Sequence, residues 1–183
     1  MDFRDLYDIF DEVDNEPYPK IENIKKDYNW GRMLYDSYSG KYGELTAILQ
    51  YSYEDITNNE NNDLKKVLMR IAMDEMKHFK ILGELLVEQG FIPYCMGSRN
   101  NKWCSDNVKY KFNSVYEMLN YNIESERIAI KEYKKLIEMS DCKYTKNILE
   151  RIIKDEENHL RTFKTLLEKY DKKSDKKCDE EYK

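Results

Sequence analysis

Apolar residues recur along this chain at the alternating three- and four-residue spacing of a helix face, and four segments carry the pattern. One stripe reads Leu64, Leu68, Ile71, Glu75, His78, Leu82, Leu85; another reads Leu149, Ile152, Glu156, His159, Phe163, Leu166. A third runs Val115, Leu119, Asn122, Glu126, Ala129, Tyr133, Leu136, and the earliest sets Glu44 in line with Ile48 and Tyr51. The three longer stripes are apolar at their ends and carry ionisable residues at their middle. Residues three apart on a helix share a face, so Glu75 with His78, and Glu156 with His159, each present a carboxylate and an imidazole to one point.

Four long helices follow from this pattern. The first is predicted over about 30–56, with Gly40 and Gly43 weakening its middle, either for close packing or as a local distortion beside Glu44. A polar, Asn-rich turn over 57–63 leads to the second, which Gly90 stops. No stripe is visible over 91–113. Ser114 followed by Glu117 is a capping box for the third helix, and a short turn over 141–144 leads to the fourth, about 145–170. Residues 2–13 read as a short amphipathic helix through Phe3, Leu6, Tyr7 and Phe10, and Pro17 and Pro19 impose an extended approach to the bundle. Residues 171–183 are mostly Lys, Asp and Glu with no apolar face, and are expected to be disordered. The fold class is all-α.

The halves of the chain repeat each other. Asp74-Glu75-Met76-Lys77-His78 and the later Leu85-Leu86 match Asp155-Glu156-Glu157-Asn158-His159 and Leu166-Leu167 at one constant offset. Glu44 to Tyr51 likewise matches Glu126 to Tyr133 through a shared Glu-x-x-Ala-x-x-x-Tyr pattern. The chain has only two histidines, and both stand three residues after a glutamate. An ionised carboxylate is costly to bury without partners, and a bound divalent cation turns that cost into coordination. The alternative is a polar cluster held by its own hydrogen bonds and ion pairs.

One glutamate from each of two helices, plus a Glu-x-x-His from each of the other two, is the arrangement of ferritin-like di-iron and di-manganese carboxylate bundles. Glu44, Glu75, His78, Glu126, Glu156 and His159 supply it in order. The chain therefore resembles the ferritin-like di-metal carboxylate superfamily, in its rubrerythrin and manganese-catalase-like spore-coat branch, over roughly 17–170. Pro17-Tyr18-Pro19, the Glu44 to Ile48 segment, Pro93 and Trp103 add to the likeness. The resemblance implies a ferritin-like four-helix bundle whose long crossover joins the second and third helices. It implies two Fe or two Mn ions, with Glu75 and Glu156 bridging, Glu44 and His78 at one end, and Glu126 and His159 at the other. These six residues would be both ligands and the catalytic set, acting on hydrogen peroxide or O2. Tyr51 and Tyr133, two turns beyond Glu44 and Glu126, are placed to hydrogen-bond a ligand carboxylate or to serve as packing residues. Rubrerythrins are expected to carry a further carboxylate one turn before the third-helix glutamate; here that residue is Ile123. Glu124 and Glu157 fall off the inner stripes and read as solvated.

At 183 residues the chain suits one domain, 1–170, with its core at 17–170 and the charged tail beyond. A net charge of −5 gives no footprint for nucleic acid. No segment is apolar enough to span a membrane, and the acidic start is unlike a secretion signal, so a cytoplasmic location is expected, or a spore coat if the role is structural. Cys95, Cys104, Cys142 and Cys178 form no Cys-x-x-Cys pair, so no rubredoxin-type iron site is encoded. Any peroxidase would then need an external electron donor. Cys95 and Cys104 share a loop and read as free thiols or as a redox-responsive pair. Three functions compete: an oxidoreductase acting on peroxide or O2, a ferroxidase handling iron, and a structural bundle stapled by its metal. A homodimer is compatible with each.

Overall fold

The computed structural model describes residues 16–58 and 62–180, with side chains through residue 170. The N-terminal helix expected over 2–13 lies outside the described residues. All regular structure among the described residues is helical apart from one isolated antiparallel bridge, Met96 with Lys102. In chain order the helices are α1 (Tyr28–Ser39), α2 (Glu44–Thr57), α3 (Asn62–Glu88), α4 (Val115–Met139) and α5 (Lys143–Glu180). The first predicted helix is thus two helices, and α1 with α2 occupies one corner of the four-helix bundle. The broken helix packs with α3 as one hairpin, and α4 packs with α5 as the other.

The break at 40–43 has a steric cause. α1 closes where Gly40 turns extended, with ψ −174°, and Gly43 precedes α2 at φ −93°, ψ 172°. A Cβ at Gly40 would lie 2.4 Å from the Asp36 carbonyl oxygen, and one at Gly43 would lie 2.5 Å from that of Ser37. Both glycines are needed because backbone passes where a side chain would begin. The Thr46 hydroxyl donates to the Gly40 carbonyl at 2.8 Å and accepts from Trp103 Nε1 at 2.9 Å, tying the joint to the crossover. The result is that Glu44 opens a helix instead of lying in the middle of one.

Helix ends elsewhere follow their local chemistry. Asp27 caps α1 by accepting from Trp30 N at 3.0 Å, and Ser114 caps α4 by accepting from Glu117 N at 3.1 Å. Gly90 stops α3 at φ +87°, with Phe91 N donating to the Leu86 carbonyl. The crossover over 91–114 has little secondary structure of its own and is sewn to the first corner. Ser39 bonds the backbone of Met96, Arg32 reaches the Ser98 carbonyl, and Gln50 pairs with both backbone groups of Lys109. Cys95 and Cys104 are exposed free thiols in this segment, whereas Cys142 is buried.

Helix α5 continues through Glu180 over much of the stretch where disorder is expected. Side chains beyond residue 170 are not described.

The core comes in two parts. One end holds Trp30, Leu34, Leu82, Leu85, Ile148 and Leu149 with their neighbours, and Trp30 Nε1 donates to the Leu136 carbonyl at 2.8 Å. The other holds Leu64, Leu68, Ile71, Leu119, Phe163 and Leu166. Between them in each stripe stand the glutamates and histidines. Gly43→Ala should cost about 1–3 kcal/mol in urea unfolding, the range for overpacking a closed site. Gly83→Ala, whose Cβ would meet only the Tyr38 ring at 3.3 Å, should cost less, because alanine gains up to about 1 kcal/mol in a helix interior.

Candidate metal centre

Helices α2 to α5 each bring one part of the site, and the register of each stripe sets the direction. Glu44 starts α2, Glu75 and His78 lie mid-α3, Glu126 lies mid-α4, and Glu156 and His159 lie in α5. All six are at most 3 % exposed. Their donor atoms form two overlapping sets, Glu44, Glu75, His78 and Glu156, and Glu75, Glu126, Glu156 and His159, each with all ligand atoms within 4.8 Å of one another. Glu75 and Glu156 belong to both. His78 Nδ1 lies 2.9 Å from Glu75 and 3.1 Å from Glu156; His159 Nδ1 lies 3.3 Å from each.

The outer contacts cross between hairpins. Tyr51 donates to Glu126 at 2.5 Å and Tyr133 donates to Glu44, so each phenol holds the glutamate of the opposite half, not the one on its own helix. The far imidazole nitrogens follow the same rule: His78 Nε2 lies 3.2 Å from Asp155, and His159 Nε2 lies 3.7 Å from Asp74. A carboxylate behind a histidine fixes the ring and raises its basicity as a ligand. Asp74 and Asp155 had a visible signal in the sequence, since each immediately precedes its Glu-x-x-His in both halves. Tyr18 stood out only as part of the Pro17-Tyr18-Pro19 entry, with no sign of its partner, and Arg151 had no signal. Tyr18 donates to Asp155 at 2.5 Å, and Arg151 reaches the same carboxylate oxygen at 2.6 Å. Asp74 instead faces Lys77 at 2.7 Å and Arg70 at 3.7 Å.

Ile123 is buried in the second apolar cluster. Glu124 and Glu157 are exposed or half-exposed and pair with Arg127 and Lys134.

Charge decides what this cluster is suited to hold. Burial pushes Glu44 and Glu126 well above the ordinary carboxylate range, and the charges of Glu75 and Glu156 add to it. Burial acts on Glu75 and Glu156 in the same direction, but His159 and His78 outweigh it and hold both low. Burial lowers the imidazoles, yet Glu156 beside His78 and Glu75 beside His159 raise both well above their usual value. Without metal both imidazoles are thus biased toward their charged form, Glu75 and Glu156 toward carboxylate, and Glu44 and Glu126 toward the neutral acid. Two divalent cations would be neutralised by four carboxylates and two neutral imidazoles.

The unsatisfied atoms point the same way. Both Glu156 oxygens and both His159 ring nitrogens are buried without a hydrogen-bond partner. An oxygen-rich set with two imidazoles fits manganese or iron. Cation binding would displace protons from Glu44, Glu126, His78 and His159. Loading the metal-free protein near neutral pH should release protons, and apparent affinity should rise with pH and collapse in acid. Calorimetry in buffers of differing ionisation enthalpy measures this, and metal uptake without proton release would contradict the ionisation pattern.

Comparison with known proteins agrees with the geometry. A probable manganese catalase from Clostridium acetobutylicum is 23% identical over 171 residues, 82% of this chain and 74% of the relative. The crystal structure of a manganese catalase from Anabaena PCC7120 superposes with a TM-score of 0.77 at 26% identity, covering 85% of this chain and 78% of that one. The bacterioferritin of Mycobacterium tuberculosis shares the fold, with a TM-score of 0.68 at 23% identity over 81% of this chain and 90% of its own. The family described as the ferritin-like domain matches residues 43–173, and with most of the chain inside that match this protein belongs to the ferritin-like domain family.

Proposed function

We propose that this protein is a dinuclear metal oxidoreductase that disproportionates hydrogen peroxide, with Glu44, Glu75, His78, Glu126, Glu156 and His159 as ligands of two manganese ions. The observation that carries the reading is the pair of overlapping four-residue sets, buried and matched in charge to two divalent cations. Iron suits the same donors and is the alternative loading; the likeness to manganese catalases supports manganese as the first choice. A bound manganese pair would supply the two-electron redox cycle. Peroxide is both oxidant and reductant in disproportionation, so the reaction needs no external donor.

The chain's own residues handle access and orientation. A cavity of about 20 Å³ lies against Glu44, Glu75, Glu126 and Glu156, bordered by Tyr51 and Gln50 and reaching Lys41 and Tyr42 at the surface side. That is room for about one water molecule, so only small molecules would pass without movement. A broader outer pocket shares Lys41, Tyr42 and Ala129 with it and reaches Tyr133. The phenols of Tyr51 and Tyr133 hold Glu126 and Glu44, and Glu75 and Glu156, common to both donor sets, would be shared between the two ions.

Elemental analysis of protein reloaded with manganese or iron should find about two ions per chain, and the manganese form should evolve O2 from peroxide without added reductant. Glu75→Ala and His159→Ala should lose both ions together, while Glu124→Ala should keep them. Protein that takes up no metal under either loading overturns the proposal. Iron-loaded protein that consumes O2 but leaves peroxide untouched would instead favour ferroxidase chemistry.

A further inference from the structure

Outside the six-residue cluster, α2 buries one more carboxyl, that of Glu54, which is 1 % exposed. No cation pairs with it among the described residues. Gln50 Nε2 donates to one of its oxygens at 2.8 Å and Asn122 Nδ2 to the other at 2.6 Å. The titratable groups around it are the phenols of Tyr51 on its own helix and Tyr121 on α4. The crossover contributes Lys109, whose ammonium is turned to Glu117 at 2.8 Å and whose backbone holds Gln50. Burial pushes the Glu54 carboxyl up to about 8, against the two amide hydrogen bonds that favour the anion.

Three features give this group a use. Glu54 lines an outer cleft with Tyr53, Thr57 and Tyr110, while its partner Gln50 lines the inner cavity that touches Glu44 and Glu126. It therefore stands between solvent and the site. Asn122 is fully buried, and its Oδ1 has no hydrogen-bond partner. With Glu54 ionised, Asn122 Nδ2 donates to it; with Glu54 protonated, a turn of the amide offers Oδ1 as acceptor for the carboxyl hydrogen. The amide thus serves both protonation states. Matching Glu44 to Glu126 places Glu54 opposite Leu136 and Asn122 opposite Gly40, so the polar pair is not part of the repeated ligand pattern.

We propose that Glu54 is a proton store for the dinuclear site, exchanging a proton with the inner cavity on one side and with solvent at the outer cleft on the other. This rests on the peroxide reading above. Reduction of one peroxide to two waters takes up two protons and two electrons, and oxidation of the second to O2 returns two of each. A bound manganese pair would supply and take back the electrons. Protons must wait somewhere between the two half-reactions, and Glu54 holds one of them, with Gln50 as the positioning residue between carboxyl and cavity. Above the pH at which Glu54 ionises the store is empty at rest, and turnover falls.

The test compares the manganese-loaded full chain with its Glu54→Gln and Asn122→Leu variants at matched metal content. Infrared titration of the wild type should show a carboxylic C=O band that disappears near pH 8 and is missing from Glu54→Gln. The wild-type rate of O2 evolution should fall across the same range. Glu54→Gln should lose that fall and run about tenfold slower at neutral pH, short of the roughly hundredfold effect of a group in direct proton transfer to substrate. Asn122→Leu, which removes the amide and keeps the carboxyl, should move the infrared and kinetic transitions together. Absence of the titrating band, or slower turnover in Glu54→Gln with the alkaline fall intact, overturns the proposal; the latter marks a merely structural role. A wild type that binds two ions yet evolves no O2 overturns the peroxide reading and this one with it.

Discussion

Four glutamates and two histidines are buried together, and the rest of the fold is arranged around the cost of keeping them there. An isolated ionised group in such surroundings is not tolerable, so the six neutralise one another without metal or would be neutralised by cations with it. The apolar clusters on either side keep solvent out. The phenols of Tyr51 and Tyr133 and the carboxylate of Asp155 satisfy outward-facing atoms that would otherwise be stranded, and Asp74 faces His159 at 3.7 Å. The crossover keeps the first corner in place, through Trp103 at the α1–α2 joint and Lys109 at Gln50.

The helices, the hairpin pairing and the convergence of the six ionisable residues were legible because each depends on local periodicity. A glutamate at a position where leucine is the rule stands out in a list of letters. Partnership across the bundle does not. Tyr51 lies on the same stripe as Glu44, but the tilt and axial offset of α4 decide which carboxylate its hydroxyl meets, and these reside in packing. The partnerships of Tyr18 and Arg151 are invisible for the same reason, since 137 residues separate Tyr18 from Asp155. The α1–α2 break was half legible. Gly40 and Gly43 marked the place, but only the approach of the Asp36 and Ser37 carbonyls shows that they part the helix.

The crossed contacts have a consequence for the architecture as a whole. Each cation position would take three residues from one hairpin and a bridging glutamate from the other, while the tyrosine and aspartate behind it come from the opposite hairpin. That reciprocity is the geometry of an isologous dimer, in which residue i of one copy meets j of the other and j meets i. Two identical hairpins could build such a centre but would be bound to build both ends alike. Joined in one chain, the halves are free to differ, and they do: Tyr18 and Arg151 stand behind His78, Lys77 and Arg70 flank the aspartate behind His159, and only one hairpin carries Glu54. Covalent fusion turns a twofold axis into a polarity, so the two ends of the cluster are chemically distinct addresses within a single bundle.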